Sequence, residues 1–414
     1  MEYLQHQLDN GLTILADCNP RAYSSAFGFF VRTGSRDETP ESGGVSHFLE
    51  HMVFKGTPNR TAAQVNLELD EMGSASNART SEESTIYHAA VLPEFQTQVV
   101  ELLSDIMRPS LRVEDFETEK RVIIEEIKMY DDQPPYGGYE KIMAEFFGNH
   151  PLGQSVLGTV DTVSGLTPDR MMTYFEERYS PSNICVAGAG KIDFDRLVDD
   201  VQRCCGHWNK FSPVRDKTRA EYRSGFVSSV KPNSHLQYIL QMAPGPANED
   251  DIRYATSVMA AIIGDDSGSR LYWEFLDTGL AESAGMASYD YQGSGAIMTY
   301  LCCAPQQAAE NLLKLQTLQR KVREEGITQK ELDLAKRKIA SHIVLGSERT
   351  NTRMFTVGSQ WLAEQKYKSV AEIAEIYENL TVDQINEALR KFPLDQCMTV
   401  AVGPNENLET AFTQ

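Results

Sequence analysis

The chain has 414 residues, of which 41% are hydrophobic and 24% charged, and its 59 acidic and 39 basic residues give a net charge of -20. A chain of this length is too long to fold around one ordinary hydrophobic core, so we predict two domains of about 200 residues each. No apolar run approaches the ~18 residues of a membrane-spanning helix, which argues against a membrane protein, and no basic patch favours nucleic acid as a partner.

The cysteines and the first residues of the chain predict a reducing compartment. The seven cysteines include no C-x-x-C spacing, and the adjacent pairs Cys204-Cys205 and Cys302-Cys303 cannot bridge within a pair without strain. The N-terminal segment is typical of neither a secretory signal nor an Arg-rich transit peptide. We therefore expect a cytoplasmic protein, whose negative charge provides solubility or attracts basic peptides to an acidic chamber.

In chain order, the first predicted element is a β-hairpin with its turn at Asp9-Asn10-Gly11. A helix is predicted after Ser42-Gly43-Gly44, because apolar residues then recur at the spacing of one helical face. The residues of this apolar stripe are Val45, Phe48, Leu49 and Met52.

The polar side of this predicted helix carries the segment His47-Phe48-Leu49-Glu50-His51. Histidines four residues apart lie about one turn apart on one face, where two neutral imidazoles can share a metal ion. Glu50 lies over the same face and can take a proton from a metal-bound water. The order H-x-x-E-H is the reverse of the H-E-x-x-H zinc-protease signature and indicates an inverted zincin, although a polar face can carry the same residues by chance.

A catalytic zinc usually has three protein ligands, so a third ligand is expected elsewhere in the chain. Residues 113–130 (VEDFETEKRVIIEEIKMY) predict a helix on which Glu119 and Glu126 share a face, two turns apart. Such a carboxylate pair can provide one ligand and one supporting hydrogen-bond acceptor. Taken alone, the pair is more typical of a solvated acidic face than of a metal site.

The pattern of the second half indicates a degenerate duplicate of the first half. A polar segment at residues 208–225 is the best candidate for a linker, and buried strands are predicted at residues 184–187 and 398–402. A helix after Ala304-Pro305, a turn at Gly326 and a further helix repeat the pattern that leads to Glu119 and Glu126. When the two patterns are aligned, Ala335 and His342 stand at the positions of those carboxylates, so a metal site is expected in the first half alone.

Over residues 1–195 the chain resembles the pitrilysin/insulinase family of zinc metallopeptidases, in particular its short bacterial branch, which is similar to the β subunit of the mitochondrial processing peptidase. The resemblance rests on the H-x-x-E-H segment, the downstream carboxylate pair and a series of further motifs in order. These motifs are Gly34-Ser35-Arg36-Asp37-Glu38, Phe54-Lys55-Gly56-Thr57, residues 73–87 (GSASNARTSEESTIY), His150-Pro151-Leu152-Gly153, Leu157-Gly158-Thr159 and Tyr179-Ser180-Pro181-Ser182-Asn183.

The resemblance implies an α+β fold of the processing-peptidase type. Two homologous α/β sandwich domains of about 200 residues would face each other in a clam-shell arrangement around a chamber. Residues 1–212 would form the zinc-binding catalytic domain, and residues 213–414 a homologous domain without a zinc site.

The resemblance also implies the chemistry of the site. One Zn²⁺ per chain would be bound by His47, His51 and Glu126, with Glu50 as the general base and Glu119 as the supporting carboxylate. The implied activity is that of a zinc-dependent endopeptidase that hydrolyses unfolded peptides or leader segments. The same family pattern implies that Asn77-Ala78-Arg79-Thr80 belongs to an edge strand to which an extended peptide substrate adds.

One departure from the family pattern concerns substrate binding in the second half. Members often carry an Arg and, seven residues later, a Tyr that contact the substrate backbone, whereas here Leu276 or a neighbour stands where the Arg is expected and Glu282 stands where the Tyr is expected. Arg270, Tyr289 or Tyr291 could substitute, or a related partner chain could supply the pair. We therefore expect a homodimer or heterodimer, and a half-active or non-catalytic subunit that needs a partner remains the alternative function.

Overall fold

The computed structural model describes residues 2–409, which form two compact units that both draw on the two halves of the chain. Unit 1 comprises residues up to 127, residues 154–216 and residues 344–368; unit 2 comprises residues 128–153, residues 217–343 and residues from 369 onward. Each half of the chain therefore lends one segment to the other unit. The division at residues 212 and 213 stays a prediction, and no pattern in the sequence indicated the exchange of segments.

The strands and helices have the following bounds. The strands are β1 (Glu2–Gln7), β2 (Thr13–Cys18), β3 (Ser25–Val31), β4 (Ala75–Thr80), β5 (Thr85–Val91), β6 (Ile184–Gly190), β7 (Gly225–Val230), β8 (Gln237–Pro244), β9 (Ser283–Tyr291), β10 (Ser294–Cys303) and β11 (Met398–Gly403). The helices are α1 (Val45–Val53), α2 (Ala62–Glu71), α3 (Gln96–Ile106), α4 (Val113–Asp131), α5 (Pro134–Phe147), α6 (Val160–Gly165), α7 (Pro168–Arg178), α8 (Phe194–Cys205), α9 (Ile252–Gly264), α10 (Ala308–Glu325), α11 (Gln329–Ser347), α12 (Thr350–Glu364), α13 (Val370–Glu378) and α14 (Val382–Lys391).

Unit 1 is built on a six-stranded sheet with the order β1-β2-β6-β3-β5-β4. Neighbouring strands are antiparallel except for β2 and β6, which are parallel. The three central strands are apolar almost throughout, because both faces of the sheet are covered. In β3, for example, Phe27 and Phe29 pack against α1, α3 and α8, whereas Ala26 and Phe30 point to the opposite face, which α12 covers.

Unit 2 repeats this topology. Its sheet has the order β7-β11-β8-β10-β9, and the pair of parallel strands, β7 and β11, matches β2 and β6 of unit 1. Helix α5 covers β8 and β11 as α12 covers β3 and β6, although each of these helices comes from the other half of the chain. The predicted α+β fold with two homologous domains is confirmed by this shared strand order.

Several predicted elements are present in the structure. The hairpin of β1 and β2 turns at Asp9-Asn10-Gly11, and the segments predicted as buried strands are β6 and β11. The predicted linker has no regular secondary structure before β7, but it is not loose, because Trp208, Arg215 and Ala220 are buried along it. Within residues 2–409, no helix combines the length and apolarity needed to cross a bilayer.

A buried ion pair fastens α12 to the sheet of unit 1. The Arg353 guanidinium donates to the carboxylate of Asp17 on β2 and also to the hydroxyl of Tyr367, at 2.6 Å. The Tyr367 ring in turn stacks on Tyr3 of β1, with 3.7 Å between the ring centroids. Both charges of the pair are almost fully removed from solvent, with 4% and 2% of their side chains exposed.

We expect Arg353→Met to lower the free energy of unfolding by about 3–5 kcal/mol, because it leaves the buried Asp17 carboxylate without its counter-charge. Chemical denaturation followed by circular dichroism measures this change. The control is Arg196→Met, in the same unit, which removes a guanidinium that is 61% exposed and lies 4.0 Å from Asp200; a loss within about 1 kcal/mol is expected there. Equal losses in the two variants would contradict a structural role for the buried pair.

Candidate metal centre

The helix that carries the two histidines begins at a position that only glycine fits. Gly44 precedes α1 with a φ of +89°, and a Cβ at that position would lie 2.5 Å from the carbonyl oxygen of Leu157. The apolar stripe predicted for this helix is buried, with Val45, Phe48 and Leu49 fully removed from solvent. Gly44 therefore permits the close approach of Leu157 at the start of α1, and the apolar spacing of the helix defines its buried side.

A buried carboxylate caps this helix. The two carboxylate oxygens of Glu38 accept hydrogen bonds from the backbone N–H groups of Gly44 and Ser46, each at 2.7 Å. These are amide groups that a helix cannot satisfy internally. Burial raises the pKa of Glu38 to about 8, against the opposing effect of its hydrogen bonds from Ser46 and Gly44.

The segment leading to Glu38 is held by a second buried carboxylate. The carboxylate oxygens of Asp37 lie 2.5 Å from Nη2 of both Arg178 and Arg215. Arg215 belongs to the predicted linker, so this stretch of irregular chain supports the loop that enters α1. Asp37 therefore anchors the start of that loop, and the hydrogen bond from Gly44 to Glu38 anchors its end, where the helix begins.

The three predicted ligands converge. The Nε2 atoms of His47 and His51 lie 3.9 and 3.6 Å from Oε2 of Glu126, and the ligand atoms of the three residues all lie within 4.8 Å of one another. The centroids of the two imidazole rings are 4.7 Å apart. Because two imidazole nitrogens and one carboxylate oxygen are a usual donor set for a catalytic zinc, these residues fit the metal that the sequence predicted.

Glu119 holds His51 in the tautomer that a metal requires. Its Oε1 lies 2.9 Å from Nδ1 of His51, and its Oε2 lies 2.7 Å from Nζ of Lys55. Burial would raise the pKa of Glu119, but the hydrogen bonds from His51 and Lys55 outweigh it and lower the pKa, so the group is a carboxylate. An anionic acceptor on Nδ1–H leaves the lone pair on Nε2, the atom that points towards Glu126.

The two histidines have opposite pKa shifts. Burial, followed by the charge of His51, lowers the pKa of His47 to about 3, so its imidazole is neutral and able to ligate. Burial also acts to lower the pKa of His51, but the hydrogen bond to Glu119 and the charge of Glu126 outweigh it and raise the pKa. In this pair, His51 is therefore the ring at which a proton competes with a metal.

A hydrogen bond fixes the side chain of Glu50, the predicted general base. Thr80, at the end of β4, donates its hydroxyl to Oε2 of Glu50 at 2.5 Å. Burial raises the pKa of Glu50, and the hydrogen bond from Thr80 opposes this shift only in part. A carboxylate with a raised pKa is better matched to proton transfer near neutral pH.

The predicted substrate segment, Asn77-Ala78-Arg79-Thr80, lies in β4, at the edge of the sheet. Asn77 is exposed, Ala78 is partly buried against the hydrophobic core, and the Arg79 guanidinium lies 4.9 Å from the ring centroid of Phe355 on α12. The backbone of β4 on the side away from β5 is the surface at which a further strand could add. The assignment of these four residues to substrate stays a prediction.

Three contacts of the site had not been assigned from the sequence: the bond of Lys55 to Glu119, the bond of Thr80 to Glu50 and the cap that Glu38 forms on α1. A signal existed for Lys55, which lies four residues after His51, the spacing at which helical side chains meet, although α1 ends at Val53. For Thr80 and Glu38 the sequence held motif positions but no indication of their partners, because both contacts join segments that are distant in the chain or irregular.

Two family models together match most of the chain. Residues 13–160 match the family described as Insulinase (Peptidase family M16), and residues 165–339 match the Peptidase M16 inactive domain. The chain belongs to the insulinase family of peptidases. The second match is to a part of that family described as inactive, and no histidine or glutamate of unit 2 takes part in the cluster found among the described residues.

Two relatives and one solved structure illustrate the similarity. The chain is 31% identical to an uncharacterized zinc protease of Mycobacterium leprae, over 97% of this chain and 92% of that protein. It is 30% identical to the uncharacterized zinc protease YmxG of Bacillus subtilis, over 98% of this chain and 99% of that protein. The fold is similar to the crystal structure of a protease from Helicobacter pylori, with a TM-score of 0.91, 21% identity and coverage of 97% and 99% of the two chains.

The positions that depart from the family pattern lie in unit 2. Leu276 packs against the hydrophobic core of that unit, and Glu282 is exposed at the start of β9. Arg270 donates to both carboxylate oxygens of Glu331, at 2.8 and 3.1 Å, and to the carbonyl of Gly326. Its guanidinium is therefore already engaged within the unit, and Tyr291 is 8% exposed within a hydrophobic cluster.

We expect Glu126→Gln to weaken zinc binding more than Glu119→Gln, because the first change replaces an anionic ligand and the second a supporting carboxylate. For Glu119→Gln the expected loss is about 10–100-fold in zinc affinity. Competition with a chromogenic chelator gives the affinities. Glu114→Gln, at an exposed position of the same helix, is the control and should bind zinc like the unchanged protein. Unchanged zinc affinity in Glu126→Gln would remove that residue from the ligand set.

Proposed function

We propose that the protein is a zinc-dependent endopeptidase that hydrolyses unfolded peptides or leader segments. The observation that carries this proposal is the convergence of His47, His51 and Glu126, beside a partly buried Glu50 that is fixed to the edge strand by Thr80. Membership of a family whose relatives are named zinc proteases supports the same reaction class.

In the proposed mechanism, His47, His51 and Glu126 hold one zinc ion per chain. Bound there, zinc supplies Lewis acidity, which makes water more acidic and polarises a carbonyl group. Glu119 keeps Nδ1 of His51 protonated and so presents Nε2 as the ligating atom. Lys55 holds the other oxygen of Glu119, which prevents that carboxylate from turning away.

Glu50 carries the protons of the reaction. As the general base, it accepts a proton from the water that attacks the peptide carbonyl, and it then gives this proton to the amine that leaves. The bond from Thr80 fixes one carboxylate oxygen and leaves the other free to exchange protons. Burial raises the pKa of Glu50, which favours the return of the proton to the leaving group.

The substrate is proposed to bind through its backbone. An extended peptide that pairs with β4 would form main-chain hydrogen bonds along Asn77, Ala78 and Arg79, and Thr80 would connect that strand to the base. This mode provides affinity with little dependence on side chains, as an enzyme that acts on unfolded segments requires. A cytoplasmic location and a preference for basic peptides, attracted by the net charge of -20, belong to the same proposal.

We also propose that the chain acts with a second chain, as a homodimer or as a heterodimer with a related subunit, and that full activity requires a chain that carries the missing donors. Leu276 and Glu282 provide no donors where the family pattern has Arg and Tyr, and Arg270 is engaged by Glu331. Each charge-assisted hydrogen bond that is missing costs the transition state about 1.5–3 kcal/mol. A related chain with both donors would restore this loss, and without such a chain the protein would be a half-active subunit.

We expect Glu50→Gln to bind zinc and to fold normally but to lose at least about 100-fold in kcat, because an amide cannot accept the proton. Cleavage of a quenched fluorescent peptide measures activity, and the zinc content of the same sample excludes loss of the metal. Glu71→Gln, at an exposed position at the end of α2, serves as the control. Turnover by Glu50→Gln within a few-fold of that of the unchanged protein would exclude Glu50 as the base.

The isolated chain should be a weak peptidase that binds zinc and is inhibited by a chelator. Addition of a related subunit that carries Arg and Tyr but lacks H-x-x-E-H should raise activity about tenfold or more for each restored bond. The substitution Leu276→Arg together with Glu282→Tyr tests the same idea within one chain. Full activity of the isolated, unchanged protein would contradict the need for a partner while leaving the zinc chemistry intact.

A further inference from the structure

A small polar cavity in unit 1 lies apart from the metal centre. Its volume is about 250 Å³, below the ~300–1,000 Å³ of pockets for drug-sized ligands, so it suits a small ion or group. Four segments line it: the hairpin of β1 and β2, the junction of β3 and β6, residues 210–213 of the irregular segment and the C-terminal end of α12.

Two cationic side chains line this cavity without a carboxylate partner. Arg32 follows β3, and Lys210 belongs to the irregular segment; neither forms an ion pair in the part of the chain that the structure describes. The Nζ of Lys210 lies beside Gly11, where an added Cβ would be 3.1 Å from it. No aspartate or glutamate is among the described residues that line the cavity, although the chain has 59 of them.

Arg32 also carries an unsatisfied donor. Its Nε is buried and has no hydrogen-bond partner among residues 2–409, a situation that in native proteins calls for an ion, a water or a ligand. Burial, followed by the positive charge of Arg215, lowers the pKa of Arg32. The opposing carboxylate of Asp37 is already paired with Arg178 and Arg215, so it compensates Arg32 only in part.

From this cavity we infer an oxyanion site that takes a phosphate group, either free or as the monoester of a small molecule. Two oxygens of the phosphate would accept hydrogen bonds from Nε–H and an Nη–H of Arg32. Another oxygen would face the Lys210 ammonium. The Ser212 hydroxyl and the Trp361 indole N–H are further donors in the lining. Donors that approach from several directions suit a tetrahedral oxyanion better than a planar carboxylate.

The location gives the site a structural consequence. An anion there would bind the end of β3, the irregular segment and the end of α12 to one another. Val31 pairs with Thr85, and Thr85 pairs with Thr80, so Arg32 lies at the same end of the sheet as the hydroxyl that holds Glu50, about 10 Å across two strand spacings. Occupancy is therefore expected to stabilise unit 1 at the end from which the catalytic segment departs.

Thermal unfolding of the full chain tests the inference, with orthophosphate, glycerol phosphate, malonate or sodium chloride added at equal ionic strength. Both phosphate compounds should raise Tm in a saturable manner and more than chloride does, and calorimetric titration should give a matching Kd. Arg32→Gln and Lys210→Gln should each weaken phosphate binding about tenfold or more, with Tm in the absence of phosphate changed by no more than a few degrees. Lys191→Gln, at an exposed position outside the cavity, should leave phosphate binding unchanged.

Three outcomes would overturn the inference. Phosphate that raises Tm no more than chloride excludes the site, and a stronger effect of malonate than of phosphate assigns it to carboxylates instead. Phosphate binding that persists in both Arg32→Gln and Lys210→Gln but is lost in His51→Gln would place the anion at the metal centre.

Discussion

The packing of α1 against α4 is the contact on which the candidate site depends. Phe48 and Phe116 stack between the two helices with 4.4 Å between ring centroids, and on the adjacent polar side Glu119 bonds to His51. These two contacts set both the separation and the rotation of the helices. Because Glu126 lies two turns beyond Glu119, it then falls opposite the Nε2 atoms of both histidines. A metal-binding set thus follows from the way one apolar pair and one polar pair fix two helices.

Buried acidic side chains support this helix pair from outside. Glu38 satisfies the first amides of α1, and Asp37 joins the preceding loop to Arg178 and Arg215. Groups of this kind add little net stability when they are compared with apolar replacements of similar shape, but they are costly to break. Their value here is positional, since the irregular chain before Gly44 has no hydrogen-bond ladder of its own to define where α1 begins.

The exchange of helices between the halves follows from the requirement that both faces of each sheet be covered. In unit 1 one face packs against helices of the first half, and α12 of the second half covers the other face through Met354 and Val357. In unit 2 Ile142 and Phe146 of α5 have the equivalent role. A central strand with apolar residues on both faces would otherwise expose one apolar surface, so neither sheet is complete without a helix from the opposite half.

The sequence by itself determined the residue types of the site, the two helices that carry them and the apolar stripe of α1, because these depend on spacing within one short segment. The repeated order of elements is likewise visible as periodicity and turn residues, whereas the α+β class followed from the resemblance to a known family. Only the tertiary structure decided that Lys55 bonds to Glu119 and that Thr80 bonds to Glu50. It also decided that α5 and α12 each cover the sheet built mainly from the other half of the chain, and that Arg32 and Lys210 line one cavity. The physical reason is that each of these depends on which face of one element packs against another, and local patterns of hydrophobicity and charge define the faces but not their partners.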